Sequence, residues 1–183
     1  MRKIIVAVLG DDRPGIVAAV SKSLFDYQCN IEDVSQTILQ TEFAGIFIVS
    51  MPPGMSHDEL REGLEGRLSP EGLAVYVKEM RPVESRVAPE TEPFVITTVG
   101  PDRLGLVAGI TGLLAEYKIN ITQLKAAFRG GDDPRRNIMI YEVDIPVAID
   151  HHAFRAALYA RGRELGLDVS LQHTDIFRQI HRI

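Results

Sequence analysis

Residues 5–31 read IVAVLGDDRPGIVAAVSKSLFDYQCNI, and residues 95–121 read VITTVGPDRLGLVAGITGLLAEYKINI. The two stretches align at a constant offset of 90, and ten of their 27 positions are identical. Most of the other positions exchange one apolar residue for another. Because self-similarity at a fixed offset is the signature of a repeated supersecondary unit, the chain is predicted to contain one small domain twice.

The repeat extends over most of the 183 residues. Residues 46–49 correspond to 140–143 at an offset of 94, and the four additional residues fall in a polar turn at 129–136. Between the copies lies a segment rich in proline and charge, which is typical of an extended linker. The predicted organisation is a first domain at 1–81, a linker at 82–92, a second domain at 93–176 and a C-terminal tail at 177–183.

Each copy opens with an apolar run, at 3–9 and 93–99, that predicts a strand covered on both faces. The apolar residues that follow have helical spacing, with Pro14 in the first helical turn and Asn30, like Asn120, at the helix end. The predicted helix face comprises Val17, Val20, Leu24 and Tyr27 in the first copy and Val107, Ile110, Leu114 and Tyr117 in the second.

The second half of each copy predicts a hairpin, another helix and a closing strand. Ser56 and Glu59 form a capping box at the helix start, and Asp150 can cap its counterpart. The order β-α-β-β-α-β, found twice, predicts an α+β fold of two ferredoxin-like domains, packed side by side with open sheet edges. The hairpin segments are 31–40 with 44–51 and 121–129 with 137–145, and the closing strands are 73–80 and 167–175. The residues predicted to face inward from the second helices are Leu60, Leu64, Leu68, Phe154, Leu158 and Leu165.

The turn between the first strand and the first helix reads Gly-x-Asp-Arg-x-Gly in both copies, at 10–15 and 100–105. Free backbone amides and the positive end of the helix dipole suit a carboxylate there, and the aspartate, Asp12 or Asp102, suits an ammonium. A free amino acid carries both groups. The alternative is that the aspartates cap their helices while the glycines permit a tight turn. Retention of the pattern in both copies favours the binding site.

The pattern Gly-x-Asp-Arg-Pro-Gly-Ile-Val at 10–17, followed by Asn-Ile at 30–31, resembles the ACT domain, a regulatory module that binds amino acids. The resemblance covers both halves. A tandem of two such domains is similar to the glycine cleavage system transcriptional repressor family, especially at 9–17 and 29–33. This resemblance implies a ligand held between two domains, by the strand-to-helix turn of one and the start of the second strand of its neighbour. The implied ligand-binding residues are Gly10, Asp11, Asp12, Arg13, Gly15, Asn30, Ile31, Gly100, Asp102, Arg103, Gly105, Asn120 and Ile121.

The second copy departs from this pattern at two positions. Pro101 replaces Asp11, and Leu104 replaces Pro14. We therefore expect the first copy to hold the stronger ligand site.

Composition limits the other classes of function. The net charge is −5, the wrong sign for direct binding to nucleic acid, where a basic face must neutralise phosphates. No apolar run approaches the about 20 residues of a membrane span, so a cytoplasmic protein is expected. The single cysteine, Cys29, and the adjacent pair His151 and His152 offer no metal-ligand spacing. No triad spacing appears either, so neither catalysis nor a cofactor is expected.

These features predict an amino-acid-binding regulatory protein that is not an enzyme. Its ligand is expected to be a small amino acid, glycine or similar. As the repressor family implies, its output is expected to pass through a protein partner such as a transcriptional activator. A homo-oligomer is expected because the sheet edges are open to pairing. Two alternatives remain: the detached regulatory subunit of an amino-acid or folate-pathway enzyme, and a ligand-free assembly module.

Overall fold

Both halves of the chain form a four-stranded antiparallel sheet with two helices. The computed structural model describes residues 2–80, 89–127 and 137–176, which divide into the units Met1–Ser85 and Arg86–Ile183, here called domain 1 and domain 2. Outside the described residues lie the predicted polar turn 129–136, the predicted tail 177–183 and positions 82–88 of the predicted linker.

The order of elements is β-α-β-β-α-β in each domain, as predicted. Domain 1 comprises β1 (Lys3–Asp11), α1 (Ile16–Asp26), β2 (Asn30–Leu39), β3 (Glu42–Ser50), α2 (His57–Leu68), a 3-10 turn (Ser69–Glu71) and β4 (Ala74–Glu79). Domain 2 comprises β5 (Thr91–Gly100), α3 (Leu106–Glu116), β6 (Asn120–Ala127), β7 (Asn137–Pro146), α4 (His151–Glu164) and β8 (Asp168–His173). Strand β5 therefore begins two residues earlier than the predicted start at 93.

The strand order is β2-β3-β1-β4 in domain 1 and β6-β7-β5-β8 in domain 2. The first and third strands of each repeat are central, and the α+β prediction of two ferredoxin-like domains is confirmed. In the register of β1 with β3, Lys3 lies opposite Ser50 and Asp11 lies opposite Glu42. The strand-to-helix turn of domain 1 is consequently at the same end of the sheet as the start of β3.

The helices cover one face of the domain 1 sheet, so β1 is not covered on both faces as we predicted. Ile4, Val6 and Val8 are fully buried, whereas Leu9 on the other face is 56% exposed. In β5, by contrast, the consecutive residues Val95 and Ile96 are both buried.

The first helix starts later than predicted, and its first buried residue is a different one. Gly15 is its N-cap, so Pro14 lies in the preceding turn and not in the first helical turn. Val20 and Leu24 are buried as predicted, but Ile16 is the first buried residue of the helix, and Val17 is 38% exposed. Asn30 does not end the helix; it is the first residue of β2. The same shifts occur in α3, where Leu106 is buried in place of Val107 and Asn120 opens β6.

The second helix of each domain agrees with the prediction. The Ser56 hydroxyl oxygen accepts a hydrogen bond of 3.1 Å from the Glu59 amide. The Asp150 carboxylate accepts hydrogen bonds of 2.9 Å from the amides of His152 and Ala153. The predicted inward residues Leu60, Leu64, Leu68, Phe154 and Leu158 are buried, and Leu165 is half-buried. Of the helices in the described parts of the chain, none combines the length and apolar character needed to cross a membrane.

Candidate functional site

Two glycines shape the strand-to-helix turn of domain 1 for different reasons. A Cβ atom on Gly10 would lie 2.8 Å from the carbonyl oxygen of Gly72 and 2.8 Å from a methyl group of Leu73. Gly10 therefore allows the segment that enters β4 to cross close to β1. Gly15 has a φ of 99°, a left-handed conformation that residues with a side chain adopt at a cost. Gly100 and Gly105 repeat both arrangements, with Leu167 in place of Leu73 and a φ of 88° at Gly105.

The first helices lack the side-chain caps that the second helices have. Within residues 2–80, 89–127 and 137–176, no side chain accepts a hydrogen bond from the first-turn amides of α1 or α3, whereas Ser56 and Asp150 cap α2 and α4. The alternative reading of Asp12 and Asp102 as helix caps is therefore wrong. The amides at the start of α1 and α3 remain without a side-chain partner, and together with the helix dipole they can receive a carboxylate.

The Asp12 backbone ties the turn of domain 1 to the neighbouring hairpin. Its amide donates a hydrogen bond of 2.7 Å to the carbonyl oxygen of Thr41, between β2 and β3. The Asp12 side chain is exposed beside the uncapped helix start. Asp11, one residue earlier, is the last residue of β1 and is exposed opposite Glu42. Both carboxylates thus lie at the turn, where an ammonium group could reach them.

Arg13 and Arg103, both predicted as site residues, form hydrogen bonds within their own domains. The Arg13 guanidinium donates hydrogen bonds of 2.9 Å to the backbone carbonyl oxygen and to the carboxylate of Glu71. The Arg103 guanidinium donates one of 3.3 Å to the carbonyl oxygen of Glu164, at the end of α4. In each domain the arginine fastens the turn to the end of the second helix or the segment after it. Its role in this structure is to position the turn.

Asn30 and Ile31 lie at the other end of the sheet from the turn of domain 1. Asn30 is opposite Ser50, which is opposite Lys3, whereas the turn follows Asp11. Eight strand positions separate the two ends, or about 26 Å at about 3.3 Å per residue. Asn30 lines an open groove of about 510 Å³ together with Phe25, Asp26, Gln28 and Cys29.

Asn120 and Ile121 are placed in the same way in domain 2, because Asn120 is opposite Asp144 while Gly100 is opposite Asn137. Each domain thus brings together the predicted turn residues and holds the predicted asparagine and isoleucine apart from them.

Domain 2 has a cleft beside its turn. The cleft has a volume of about 330 Å³, and its lining residues are Asp102, Arg103, Leu104, Gly105, Leu106, Val107, Ala108, Asn137 and Met139. The Asn137 amide nitrogen donates a long hydrogen bond of 3.4 Å to the Asp102 carboxylate. Asn137 is only 4% exposed, and its amide oxygen has no hydrogen-bond partner among the described residues. A buried polar atom without a partner is destabilising by about 1–3 kcal/mol and calls for an explanation.

Asn137 was not predicted from the sequence, although the repeat contained a signal. At the offset of 94, Asn137 corresponds to Phe43, so an apolar position of the first copy has become polar in the second. The positions where an inward residue changes character were the informative ones.

The other reactive side chains of the described residues do not form a site. Burial raises the pKa of the Cys29 thiol, which is 8% exposed, and an inert thiol follows from that. Burial also raises the pKa of Tyr141 to about 12, and its hydroxyl lies 3.4 Å from the sulfur of Met139. Among residues 2–80, 89–127 and 137–176, no cluster of three histidine, cysteine or carboxylate side chains could hold a metal ion.

The repeated β-α-β-β-α-β unit and its glycine-rich turn define a tandem of two small ferredoxin-like domains. A family model for the ACT domain matches residues 2–78 and 92–132, which is more than half of the chain. This protein belongs to the ACT-domain family.

Known relatives resemble either one domain or the whole tandem. The chain is 40% identical over 91 residues to a UPF0237 protein of Methanosarcina acetivorans, an alignment that covers 49% of this chain and 95% of that relative. A UPF0237 protein of Methanopyrus kandleri is 40% identical over 90 residues, covering 49% of this chain and 96% of the relative. These relatives are therefore about as long as one of the two domains.

Two solved structures share the whole tandem. An unknown protein from Galdieria sulphuraria superposes with a TM-score of 0.75 at 26% identity, covering 94% of this chain and 98% of the other. A candidate glycine cleavage system transcriptional repressor superposes with a TM-score of 0.65 at 20% identity, covering 93% of this chain and 96% of the other. The second likeness shows a shared fold.

Proposed function

We propose that this protein is a regulatory sensor of a free amino acid. The observation that carries the proposal is the pair of uncapped helix starts at α1 and α3, each preceded by an exposed aspartate. The second helices of the same domains are capped by their own side chains, so the difference lies in the turns that repeat Gly-x-Asp-Arg-x-Gly. A zwitterion complements such a turn, because its carboxylate suits the amides and its ammonium suits the aspartate.

The ligand that we propose is a small amino acid, glycine or similar. The residues that we propose to form or support its sites are the thirteen predicted from the sequence, with Arg13 and Arg103 acting by holding the turns. The asparagine lies eight strand positions from the residue before the turn in domain 1 and seven in domain 2, so Asn30 and Asn120 could take part only if a second domain supplied them.

The output that we propose is contact with a protein partner, such as a transcriptional activator, and not catalysis or direct reading of DNA. The net charge of −5 supports this choice. The exposed edge strand β2 supports it too, because Val34, Ile38 and Leu39 are 50%, 52% and 72% exposed. An open strand edge can pair with a partner or with a second copy, which is why we also propose a homo-oligomer.

A thermal-shift screen against the twenty free amino acids tests the sensor proposal. At a concentration one hundredfold above its Kd, a ligand that binds the folded chain alone stabilises it by about 2.7 kcal/mol. For a chain of this size the melting temperature should rise by about 5–11 °C. Betaine, which keeps the carboxylate and blocks the ammonium, is the control and should give no rise. A transition that none of the amino acids moves at millimolar concentration would refute the proposal.

A further inference from the structure

We propose that the outer face of the domain 1 sheet docks onto the same face of a second copy of this chain, with the strands of the two sheets running in opposite directions. The outer face is the side of the sheet that points away from α1 and α2, and its apolar residues include Ile5, Ala7, Leu9, Ile46, Ile48 and Tyr76. This surface is a face of the sheet and not its β2 edge, and its docking requires no amino-acid ligand.

Strand β1 has the sequence of a strand covered on both faces, although α1 and α2 cover only one. Ile5, Ala7 and Leu9 alternate with the buried residues of β1 and point to the outer face. A strand that is apolar on both faces is typical of a sheet that is covered on both. The sequence of β1 therefore indicates that a further molecule covers the outer face.

The apolar surface extends from β1 to both neighbouring strands. In the register, Ala7 lies between Ile46 on β3 and Tyr76 on β4, which are 52% and 64% exposed. An apolar patch with a polar rim is typical of a protein interaction site. Four strands about 4.8 Å apart, each with about seven residues of about 3.3 Å, give a face of about 440 Å². A standard interface buries about 800 Å² per partner, so we expect a dimer that dissociates on dilution.

The matched face of domain 2 has a different character. At the offset of 94, Ile48 corresponds to Glu142 and Tyr76 corresponds to Ser170. Because the same fold accommodates a carboxylate and a hydroxyl at these positions, folding does not require apolar residues there. The apolar outer face of domain 1 is therefore suited to contact with another molecule.

The order of side chains along β1 fits the outer face to itself. A two-fold axis that crosses the strands at Ala7 places Lys3 of one copy over Asp11 of the other. The same axis places Ile5 over Leu9. Opposite charges thus meet at both ends of β1, and apolar side chains meet between them. The partner that this face fits is a second copy of the chain, with its strands within about 30° of antiparallel, as in aligned sheets.

The other charged residues of the outer face favour the same orientation. Asp11 and Glu42 lie opposite each other in the register. Strands running in the same direction in both copies would bring these acidic ends together, and like charges repel. Strands running in opposite directions place Glu42 over Ser50 instead. In that orientation Lys78 lies over Ala74, Asp33 lies over Thr37, and Glu32, the ion-pair partner of Lys3 within its own chain, lies beside Leu39.

The test uses the full chain and two substitutions of matched exposure. Ile46 and Ile38 are both 52% exposed, but Ile38 is paired with the buried Phe43 and points to the helix side of the sheet. Ile46→Lys would bring two ammonium groups together at the two-fold axis, whereas Ile38→Lys adds the same charge away from the interface. Sedimentation velocity from micromolar to millimolar concentration measures the Kd of the dimer. We expect Ile46→Lys to raise this Kd at least about tenfold and Ile38→Lys to leave it within about twofold.

A mixed sample separates loss of docking from loss of folding. Ile46→Lys and Ile46→Glu should each be monomeric alone, because like charges meet at the axis. In an equimolar mixture an ammonium group meets a carboxylate, and a dimer with one copy of each variant should form. This rescue is expected only at a position that faces its own counterpart in the second copy.

The other outcomes would overturn the docking. A wild type that stays monomeric at millimolar concentration would do so, as would a dimer that Ile46→Lys leaves intact or that Ile38→Lys weakens equally. A mixture of the two Ile46 variants that stays monomeric would refute the antiparallel packing about this residue. The thermal-shift screen with free amino acids is independent of all these results, so the sensor proposal stands or falls separately.

Discussion

The strand-to-helix turns need glycine for two reasons: at some positions a Cβ atom would not fit, and at others the backbone is left-handed. The two reasons predict different effects of mutation. Gly10 and Gly100 have ordinary backbone conformations but no room for a Cβ atom. Gly15 and Gly105 have room but left-handed backbones. A helical glycine such as Gly112 has neither constraint.

Gly100→Ala should therefore destabilise domain 2. Its Cβ would lie 2.7 Å from a methyl group of Leu167 and 2.9 Å from the carbonyl oxygen of Gly166, and the backbone oxygen cannot rotate away. Overpacking of this kind is destabilising by about 1–3 kcal/mol. The control is Gly112→Ala, the same substitution within α3, which should stabilise the helix by up to about 1 kcal/mol. Urea denaturation followed by circular dichroism measures both, and changes of the same sign would contradict the explanation.

Cys29 offers a second prediction for a single residue. Its thiol donates a weak hydrogen bond of 3.6 Å to the carbonyl oxygen of Tyr27, and burial raises its pKa. The reactive thiolate is consequently scarce at neutral pH. We expect the native protein to react with a disulfide reagent far more slowly than free cysteine does, and the urea-unfolded protein to react at the free rate. A fast reaction of the native protein would show that this side chain is accessible.

Among the elements, the helices differ in how their first turns are satisfied, and α4 gives a pH-dependent case. The hydrogen bond from the Ala153 amide, followed by that from His152, lowers the pKa of the Asp150 carboxyl below its ordinary value. Because the folded-state pKa is the lower one, Asp150 contributes stability above its unfolded pKa. That contribution is lost as the pH falls through the folded-state pKa.

Asp150→Asn keeps a capping side chain and removes the charge. The free energy of unfolding of the wild type should exceed that of the variant at about pH 7, where the carboxylate also complements the helix dipole. The difference should shrink as the pH falls below about 4, the range in which an aspartate titrates. Other carboxyl groups cancel in the comparison. Urea denaturation of both proteins at about pH 7 and about pH 3 checks this, and a difference independent of pH would contradict the capping role of the charge.

At the scale of the whole molecule, net charge bears on the proposed route of action through a protein partner. With a net charge of −5, the isolated chain should give no mobility shift on promoter DNA. A shift is expected only when an activator protein is added, and it should then require that activator's own site. A tight shift by this chain alone, weakening steeply with salt, would show direct phosphate contacts and refute the proposed route of action.

The architecture could be predicted from the sequence because the repeat shows every element in two different sequences, and the two predictions agree. The helix caps at Ser56 and Asp150 are local, so their sequence signals were reliable. Only the first buried residue of α1 was misassigned, since Val17 and Ile16 are both apolar and only the packing of the helix on the sheet separates them.

The candidate site was predicted in part for a related reason. The turn is a continuous segment, so its members lie together in the structure as they do in the chain. Asn30 shares no such segment, and sheet register places it at the far end. Asn137 reaches the turn only through the pairing of β5 with β7, and no spacing along the chain could show that contact.

The unlike side chains at matched sheet positions also bear on how the chain avoids misfolding. Adjacent repeats with similar sequences can exchange equivalent strands during folding, a characteristic failure of tandem domains. If β7 replaced β3 in the first sheet, Asn137 would lie opposite Gly10 in the place of the buried Phe43 ring, which its smaller side chain would not fill. If β3 entered the second sheet, Gly45 would leave the space of Met139 unfilled opposite Thr98. Both hybrids are less stable than the native pairing, so the divergence of the two cores directs each strand to its own domain.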